Sequence, residues 1–310
     1  MRYNDTMADV ARIETKRLSK RYNKTDGYAL RNLTIRIEPG EVYGFLGPNG
    51  AGKSTTIRTM MGFLRPTDGT VSILGRDVTT DGVEVRRHVG YVSGDMELYG
   101  KLTGAQYLEY MRDLYQVKDR SYYHKLIERL QPTLNKPLGN LSRGNHQKIA
   151  LIQAFMNQPQ VLILDEPTSG LDPLMQDVFY ELVAECKARG DSVFMSSHIM
   201  SEVQKVCDRF GVIRAGKLIT EQSIDELHKR AAQTFDVTFR SKPPLAELRT
   251  IKGLKVVSHD KQSVTFHMSG ELSALFACLA RHDVAQLDTH ELDIDELFRH
   301  YYTDAKEKRS

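Results

Sequence analysis

No run of apolar residues in this 310-residue chain approaches the roughly 20 that a helix needs to cross a bilayer. Its amino terminus also lacks the apolar core of a secretory signal peptide. A membrane-spanning helix is therefore not expected, and any link to a membrane must come through a partner. Cysteine is scarce: Cys186, Cys207 and Cys278 are odd in number and far apart, which fits neither a disulfide framework nor a metal site. A reducing cytoplasm is the simplest home for such a chain. Neither sign of charge is in excess, since 43 lysines and arginines face 40 acidic residues for a formal charge of +3. That balance carries no electrostatic footprint for nucleic acid and leaves only a weak attraction to a membrane surface.

What is present begins as an α/β pattern, in a chain long enough for one large domain or one with a smaller appendix. Leu33 to Ile37 alternates apolar and polar as a half-buried strand does, and Glu38, Pro39 and Gly40 then turn the chain. A second strand, Val42 to Leu46, runs into Gly47, Pro48, Asn49, Gly50, Ala51, Gly52, Lys53 and Ser54, after which Thr55 to Phe63 reads as a helix. This is G-x-x-x-x-G-K-[ST] in the setting that gives it meaning, a strand feeding a glycine-rich loop that opens a helix. Glycines let backbone N–H groups close in on phosphate oxygens, and the helix start adds positive potential. Lys53 is placed to reach the β- and γ-phosphates, Ser54 to ligate Mg²⁺ and Thr55 to touch the α-phosphate, so a nucleotide with Mg²⁺ is the implied ligand.

Further on, Val161 to Leu164 is a continuous apolar run of strand length that ends in Asp165 and Glu166. The carboxyl ends of strands line the ligand crevice of doubly wound sheets, which brings these acids beside the phosphate loop. Asp165 suits Mg²⁺, and Glu166 suits the orientation and deprotonation of an attacking water. Between the two motifs lie Leu141, Ser142, Arg143, Gly144 and Asn145, then a helical pattern through Asn157. In isolation Ser142 is a helix N-cap with Asn145 three positions on, a loose variant of the capping box.

A Walker A loop, then Leu-Ser-x-Gly before a helix, then four apolar residues with Asp165 and Glu166, then Ser169, Gly170, Leu171 and Asp172, together resemble the ATP-binding cassette of ABC proteins. The likeness runs from about Ile13 to Glu221. It implies a P-loop NTPase fold, a RecA-like mixed-sheet core with a helical subdomain at about 96–159. His198, after Ser196 and Ser197, is similar to the family's switch histidine that contacts the γ-phosphate, and Tyr22 stands where the family carries an aromatic that stacks on adenine. The resemblance further implies a head-to-tail pair of cassettes, formed with a second copy or a paralogue, that sandwiches two ATP molecules. Lys53, Ser54, Asp165, Glu166 and His198 would act from one chain while Ser142 and Gly144 of the other meet the γ-phosphate, with Asp172 joining the faces. It implies a polytopic permease as a separate polypeptide, with the chain held at the cytoplasmic face of the membrane, and no nucleic acid. Repair and translation proteins share this engine, but they carry a coiled-coil insertion or two cassettes, and neither heptads nor a second phosphate loop occurs here.

Two motifs depart from the family pattern. Gly94 stands where a glutamine usually bridges Mg²⁺ and the permease, which leaves the neighbouring Asp95 to take part of that role; Arg143 and Asn145 replace the usual glycine and glutamine of the signature. This combination resembles the ABC-2-type, drug-exporter-like branch. Thr103 to Tyr115 shows apolar residues three and four apart. Its Tyr107, Tyr110 and Leu114, with Leu98 and Tyr99, can be either subdomain core or a groove for a permease helix.

The expected domains are an N-terminal extension at 1–12, a nucleotide-binding domain at 13–222 and a small C-terminal α/β domain at 223–304, with a charged tail at 305–310. In the C-terminal part Ile224 to Ala231 reads as a helix, and Phe235 to Phe239, Leu254 to Val257 and Ser263 to Met268 read as strands. Glu271 to Arg281 and Leu292 to Tyr302 read as helices, and no catalytic constellation accompanies them.

Overall fold

The structure, a computed structural model, describes residues 10–23, 25, 27–94, 100–117, 119–230 and 233–290. It divides into two compact units, one reaching Glu221 and one starting at Gln222.

The first unit opens with β1 (Ile13–Lys20) and β2 (Leu30–Ile37), which pair antiparallel with Ile13 opposite Ile37. β3 (Val42–Leu46) is buried at all five positions, as a strand covered on both faces must be. It leads into α1 (Lys53–Met60), three residues shorter at its far end than the pattern to Phe63 suggested, because Met61 closes the last turn. β4 (Asp68–Ile73) and β5 (Arg76–Asp77) complete a four-stranded sheet of order β2-β1-β4-β5. After α2 (Gly82–Arg87) and β6 (Val89–Val92) come three helices, α3 (Gly104–Leu114), α4 (Arg120–Leu130) and α5 (Arg143–Phe155). The chain then alternates through β7 (Val161–Asp165), α6 (Pro173–Ala188), β8 (Ser192–Ser197), α7 (Met200–Val206), β9 (Arg209–Arg214) and β10 (Lys217–Ser223).

The second sheet has six strands in the order β10-β9-β3-β8-β7-β6. From β9 to β6 neighbours run parallel, and the register sets Leu46 opposite Ser197 and Asp165 opposite Ser196. The carboxyl ends of β3, β7 and β8 therefore lie side by side, and the residues that follow each strand share one edge of the sheet. Phe45, Ile57, Met60, Ile163 and Phe194 anchor the core between the two sheets and α1, with no solvent exposure.

The α3 helix starts at a capping box, in which Thr103 Oγ1 accepts from the Gln106 amide and Gln106 Oε1 accepts from the Thr103 amide. Its Tyr107 is buried, whereas Tyr110 and Leu114 are 51% and 59% exposed. Of the three, only Tyr107 is core; the helical period sets Tyr110 and Leu114 on the same side of α3, yet both stay open to solvent. Leu98 and Tyr99 lie outside the described residues. Among the described residues no helix is long and apolar enough to cross a membrane, and the three cysteines are free and buried.

The second unit contains α8 (Ile224–Arg230), β11 (Gln233–Phe239), α9 (Leu245–Leu248), β12 (Leu254–His259), β13 (Ser263–Met268), α10 (Ser273–Leu279) and β14 (Val284–His290). From β11 onward this is the β-α-β-β-α-β arrangement, an antiparallel sheet of order β12-β13-β11-β14. Alternate residues of β11 and β13 point inward, so Phe235, Val237, Phe239, Val264, Phe266 and Met268 meet Leu248, Leu275 and Leu279 in a core of their own. The stretch 292–310, where a last helix and a charged tail were expected, lies outside the described residues.

Candidate functional site

The loop from Gly47 to Gly52 is shaped by close approach. A Cβ on Gly47 would fall 2.5 Å from the Ile213 carbonyl oxygen, and Gly52 has φ 114° with the Ala29 carbonyl 3.0 Å from where its Cβ would stand. Only glycine fits both demands. No side chain caps the first turn of α1, so its backbone N–H groups are left for a ligand at the helix start. Lys53 is only 6% exposed; its Nζ donates to the Gly47 carbonyl at 2.7 Å and pairs with Glu166 Oε1 at 3.2 Å. A cavity of about 310 Å³ opens here, lined by Tyr22, Ala29, Pro48, Asn49, Gly50, Gly52, Lys53, Ser54, Thr55 and Glu166. The Tyr22 and Thr55 hydroxyls are hydrogen-bonded at 3.1 Å, which holds an otherwise exposed ring at the cavity rim.

The acids come from β7. Asp165 is buried, and its Oδ1 accepts from the Ser196 hydroxyl at 2.5 Å. The same hydroxyl accepts from the Glu166 amide at 3.1 Å, so one side chain of β8 fixes both acids. Glu166 has φ 50°, a conformation that a residue with a side chain adopts at a cost of roughly 1–3 kcal/mol and that clusters at functional sites. It turns the carboxylate toward Lys53 on one side and His198 on the other, where the imidazole Nδ1 lies 2.9 Å from Glu166 Oε2. An ionised carboxylate only accepts, so Nδ1 carries the proton of that bond.

Behind this row, Glu202 of α7 is buried and accepts from the Thr168 hydroxyl at 2.6 Å and the Ser197 hydroxyl at 2.5 Å. It ties the segment after Glu166 to the segment before His198. Ser196, Thr168 and Glu202 escaped the reading of the sequence as site residues; only the position of Ser196 and Ser197 beside His198 hinted at them.

The donor set fits a hard divalent ion. The Ser54 hydroxyl and the Asp165 carboxylate are oxygen ligands of the kind Mg²⁺ takes, and a Cβ at Gly94 would come 3.3 Å from Asp165 Oδ2. Glycine at position 94 thus leaves that oxygen uncrowded. Asp95, expected to take over from the missing glutamine, lies outside the described residues.

Ser142, Gly144 and Asp172 do not line the cavity. Ser142 caps α5 by accepting from the Asn145 amide at 3.4 Å, and Asn145 turns its own amide group to the Ser142 hydroxyl and the Thr133 N–H. Gly144 packs on the loop after β7, for a Cβ there would lie 2.5 Å from the Gly170 carbonyl oxygen. Arg143 reaches across to the Ser169 hydroxyl at 2.7 Å, and Asp172 caps α6 by accepting from the Met175 amide at 3.0 Å. The first turn of α5 and the Ser169 to Asp172 loop thereby form one unit, with Ser142, Arg143, Gly170 and Asp172 exposed and Leu171 buried, that does not line the cavity of the same chain.

Comparison with known proteins agrees with this geometry. Residues 30–169 match the family described as ABC transporter. The chain is 36% identical over 225 residues to the probable multidrug ABC transporter ATP-binding protein YbhF of Escherichia coli K12, covering 71% of this chain but only 38% of that protein. It is 35% identical to the bacitracin transport ATP-binding protein BcrA of Bacillus licheniformis, over 70% of this chain and 72% of the relative. It is 33% identical to the ABC transporter ATP-binding protein NatA of Bacillus subtilis, over 69% and 90%. Among solved structures, an ATP-binding subunit of an ABC transporter superposes with a TM-score of 0.64 at 30% identity, covering 70% of this chain and 92% of the other. A dimeric ATP-binding cassette bound to ADP and Pi superposes at 0.61 over 68% and 98%, but at 22% identity it speaks for the fold alone.

Proposed function

The chain belongs to the ABC transporter family of ATP-binding proteins, and from that premise we propose that it hydrolyses ATP to power export through a separate membrane permease. One observation carries the ATPase reading: the Glu166 carboxylate is held between Lys53 and His198 at the mouth of the phosphate loop. In that position Glu166 accepts a proton from an attacking water, while the His198 imidazole orients the carboxylate and faces the terminal phosphate. Lys53 and the free N–H groups of α1 stabilise charge on the phosphate oxygens, and the Tyr22 ring, fixed by Thr55, offers a face to adenine. Ser54 and Asp165 would hold Mg²⁺, which supplies neutralisation of the charge that develops on the phosphates.

Because Ser142, Gly144 and Asp172 belong to one surface unit that does not line the cavity, their role as phosphate contacts belongs to a second cassette facing the first. Binding of ATP then draws two copies together and hydrolysis releases them. Tyr110 and Leu114, one turn apart and exposed on α3, offer the apolar surface on which a permease helix docks. The drug-related names of the E. coli and B. licheniformis relatives support export.

Replacing Glu166 with Gln tests the chemistry. The variant is expected to bind ATP as tightly as the parent, to accumulate as a dimer, and to lose hydrolysis by about 10²–10⁴-fold, measured as phosphate release. Hydrolysis at the parental rate would remove Glu166 as the base. Capture of the chain from gently solubilised membranes tests the partner: a polytopic protein in equal amount supports transport, and a soluble protein, ribosome or DNA in its place sinks it.

A further inference from the structure

The second unit holds a cluster of side chains that the ATP site does not use. Glu247 of α9, Cys278 of α10 and His282 just beyond α10 each present one ligating atom, and the three atoms lie within 4.8 Å of one another. Cys278 and His282 are four residues apart. The turn between them is held by hydrogen bonds from the Arg281 and His282 amides to the Cys278 and Leu279 carbonyls, both 3.1 Å, so the two side chains share a face. Glu247 Oε2 stands 3.8 Å from Cys278 Sγ, and Oε1 stands 3.4 Å from His282 Nε2. Four-coordinate zinc, with bonds of roughly 2.0–2.3 Å, spaces its ligand atoms by roughly 3.3–3.8 Å, and Glu247 stands at such a separation from each of the other two, through one oxygen to each, with a small inward shift left to close the set.

Packing alone does not account for the cluster. His282 Nε2 is buried and meets only the Glu247 carboxylate, at a long 3.4 Å that falls short of a well-formed hydrogen bond. A buried nitrogen so weakly satisfied is destabilising, and a metal ion at this point would satisfy it fully. Cys278 is buried at the foot of the cluster while Glu247 is exposed at its mouth, which gives the ion an entry and a water the fourth position. Arg281 competes, with its guanidinium 3.0 Å from Glu247 Oε2, but its side chain is 67% exposed and is free to turn into solvent. The ligand set selects the ion: a thiolate with an imidazole and a carboxylate suits zinc, whereas Mg²⁺ and Ca²⁺ require oxygen throughout.

We propose that Glu247, Cys278 and His282 form a Zn²⁺ site that clips α9 to α10 and is chemically separate from the ATP site. Binding exchanges the thiol proton of Cys278, released to solvent, for a sulfur–zinc bond.

The test uses the full chain, stripped with chelator and titrated with Co²⁺ without nucleotide. The ATP site has no sulfur ligand, so a thiolate-to-cobalt charge-transfer band reports this cluster alone. One equivalent of Co²⁺ per chain, displaced by Zn²⁺, is expected, with the band abolished in Cys278→Ser. Glu247→Gln keeps the size of the side chain at an exposed position, with an unchanged circular dichroism spectrum checked alongside. It is expected to weaken Co²⁺ by more than about tenfold, the least that loss of even a ligand's supporting partner costs. A wild-type chain without the band, a band that survives Cys278→Ser, or undiminished affinity in Glu247→Gln would each overturn the site.

Discussion

At the scale of single residues, the row of Glu166 and His198 is held from behind by Glu202. Its two oxygens accept from Thr168 and Ser197, so one buried carboxylate sets the spacing between the strand ends that carry Glu166 and His198. A glutamine has the same shape but only one accepting oxygen, and its amide would face a hydroxyl that must turn round to accept. Hydrogen bonds to a charged group contribute about 1.5–3 kcal/mol each. Glu202→Gln is therefore expected to cost on the order of 2 kcal/mol in urea unfolding. It should also lower kcat more than it raises KM for ATP, because it shifts the groups that act in the reaction and spares the phosphate loop. Parental stability and kcat would show that this carboxylate positions nothing. Ser196 and Glu202 were not legible as site residues, and the reason is physical. Their contacts depend on β8 lying beside β7, a neighbour relation made across about 30 residues of chain, and no local pattern encodes it.

At the scale of elements, local chemistry was legible wherever it is self-contained. Ser142 caps α5, and the apolar runs of β3 and β7 are strands buried on both faces. β1 was not legible. Its alternation breaks where Arg17 adopts φ 48° and the register with β2 shifts, so Leu18 and Ser19 are both buried in succession. β14 was missed because its residues are largely polar and exposed, and it is a strand only through its pairing with β11. The α9 helix is a single turn, too short for any period to show. The capping box of α3, which the sequence reading passed over, is a measurable cap. Thr103→Ala removes the hydroxyl that accepts from the Gln106 amide, and it is expected to destabilise the first unit by about 1 kcal/mol in urea unfolding. Serine at the same position should restore most of that loss, and equal loss in both variants would assign the effect to the threonine methyl group.

At the scale of the whole molecule, the ATP-binding motifs and the proposed zinc site fall in different units, each with its own core. Phe266 has no solvent exposure and stacks on Phe235 with ring centroids 5.5 Å apart, at the centre of the second core. Truncating such a ring costs about 3–5 kcal/mol. A unit this small buries a modest share of its surface and has little stability to lose. Phe266→Ala is therefore expected to unfold the second unit at low denaturant while the first keeps its transition. A ligand that binds only one folded unit stabilises only that unit. Saturating ATP should thus raise the later transition and leave the earlier one in place, and the variant should bind a fluorescent ATP analogue with parental affinity. If a single transition carries both units and nucleotide affinity falls with it, the two cores fold as one. The second unit would then be part of the ATP-binding scaffold, and not an independent attachment to it.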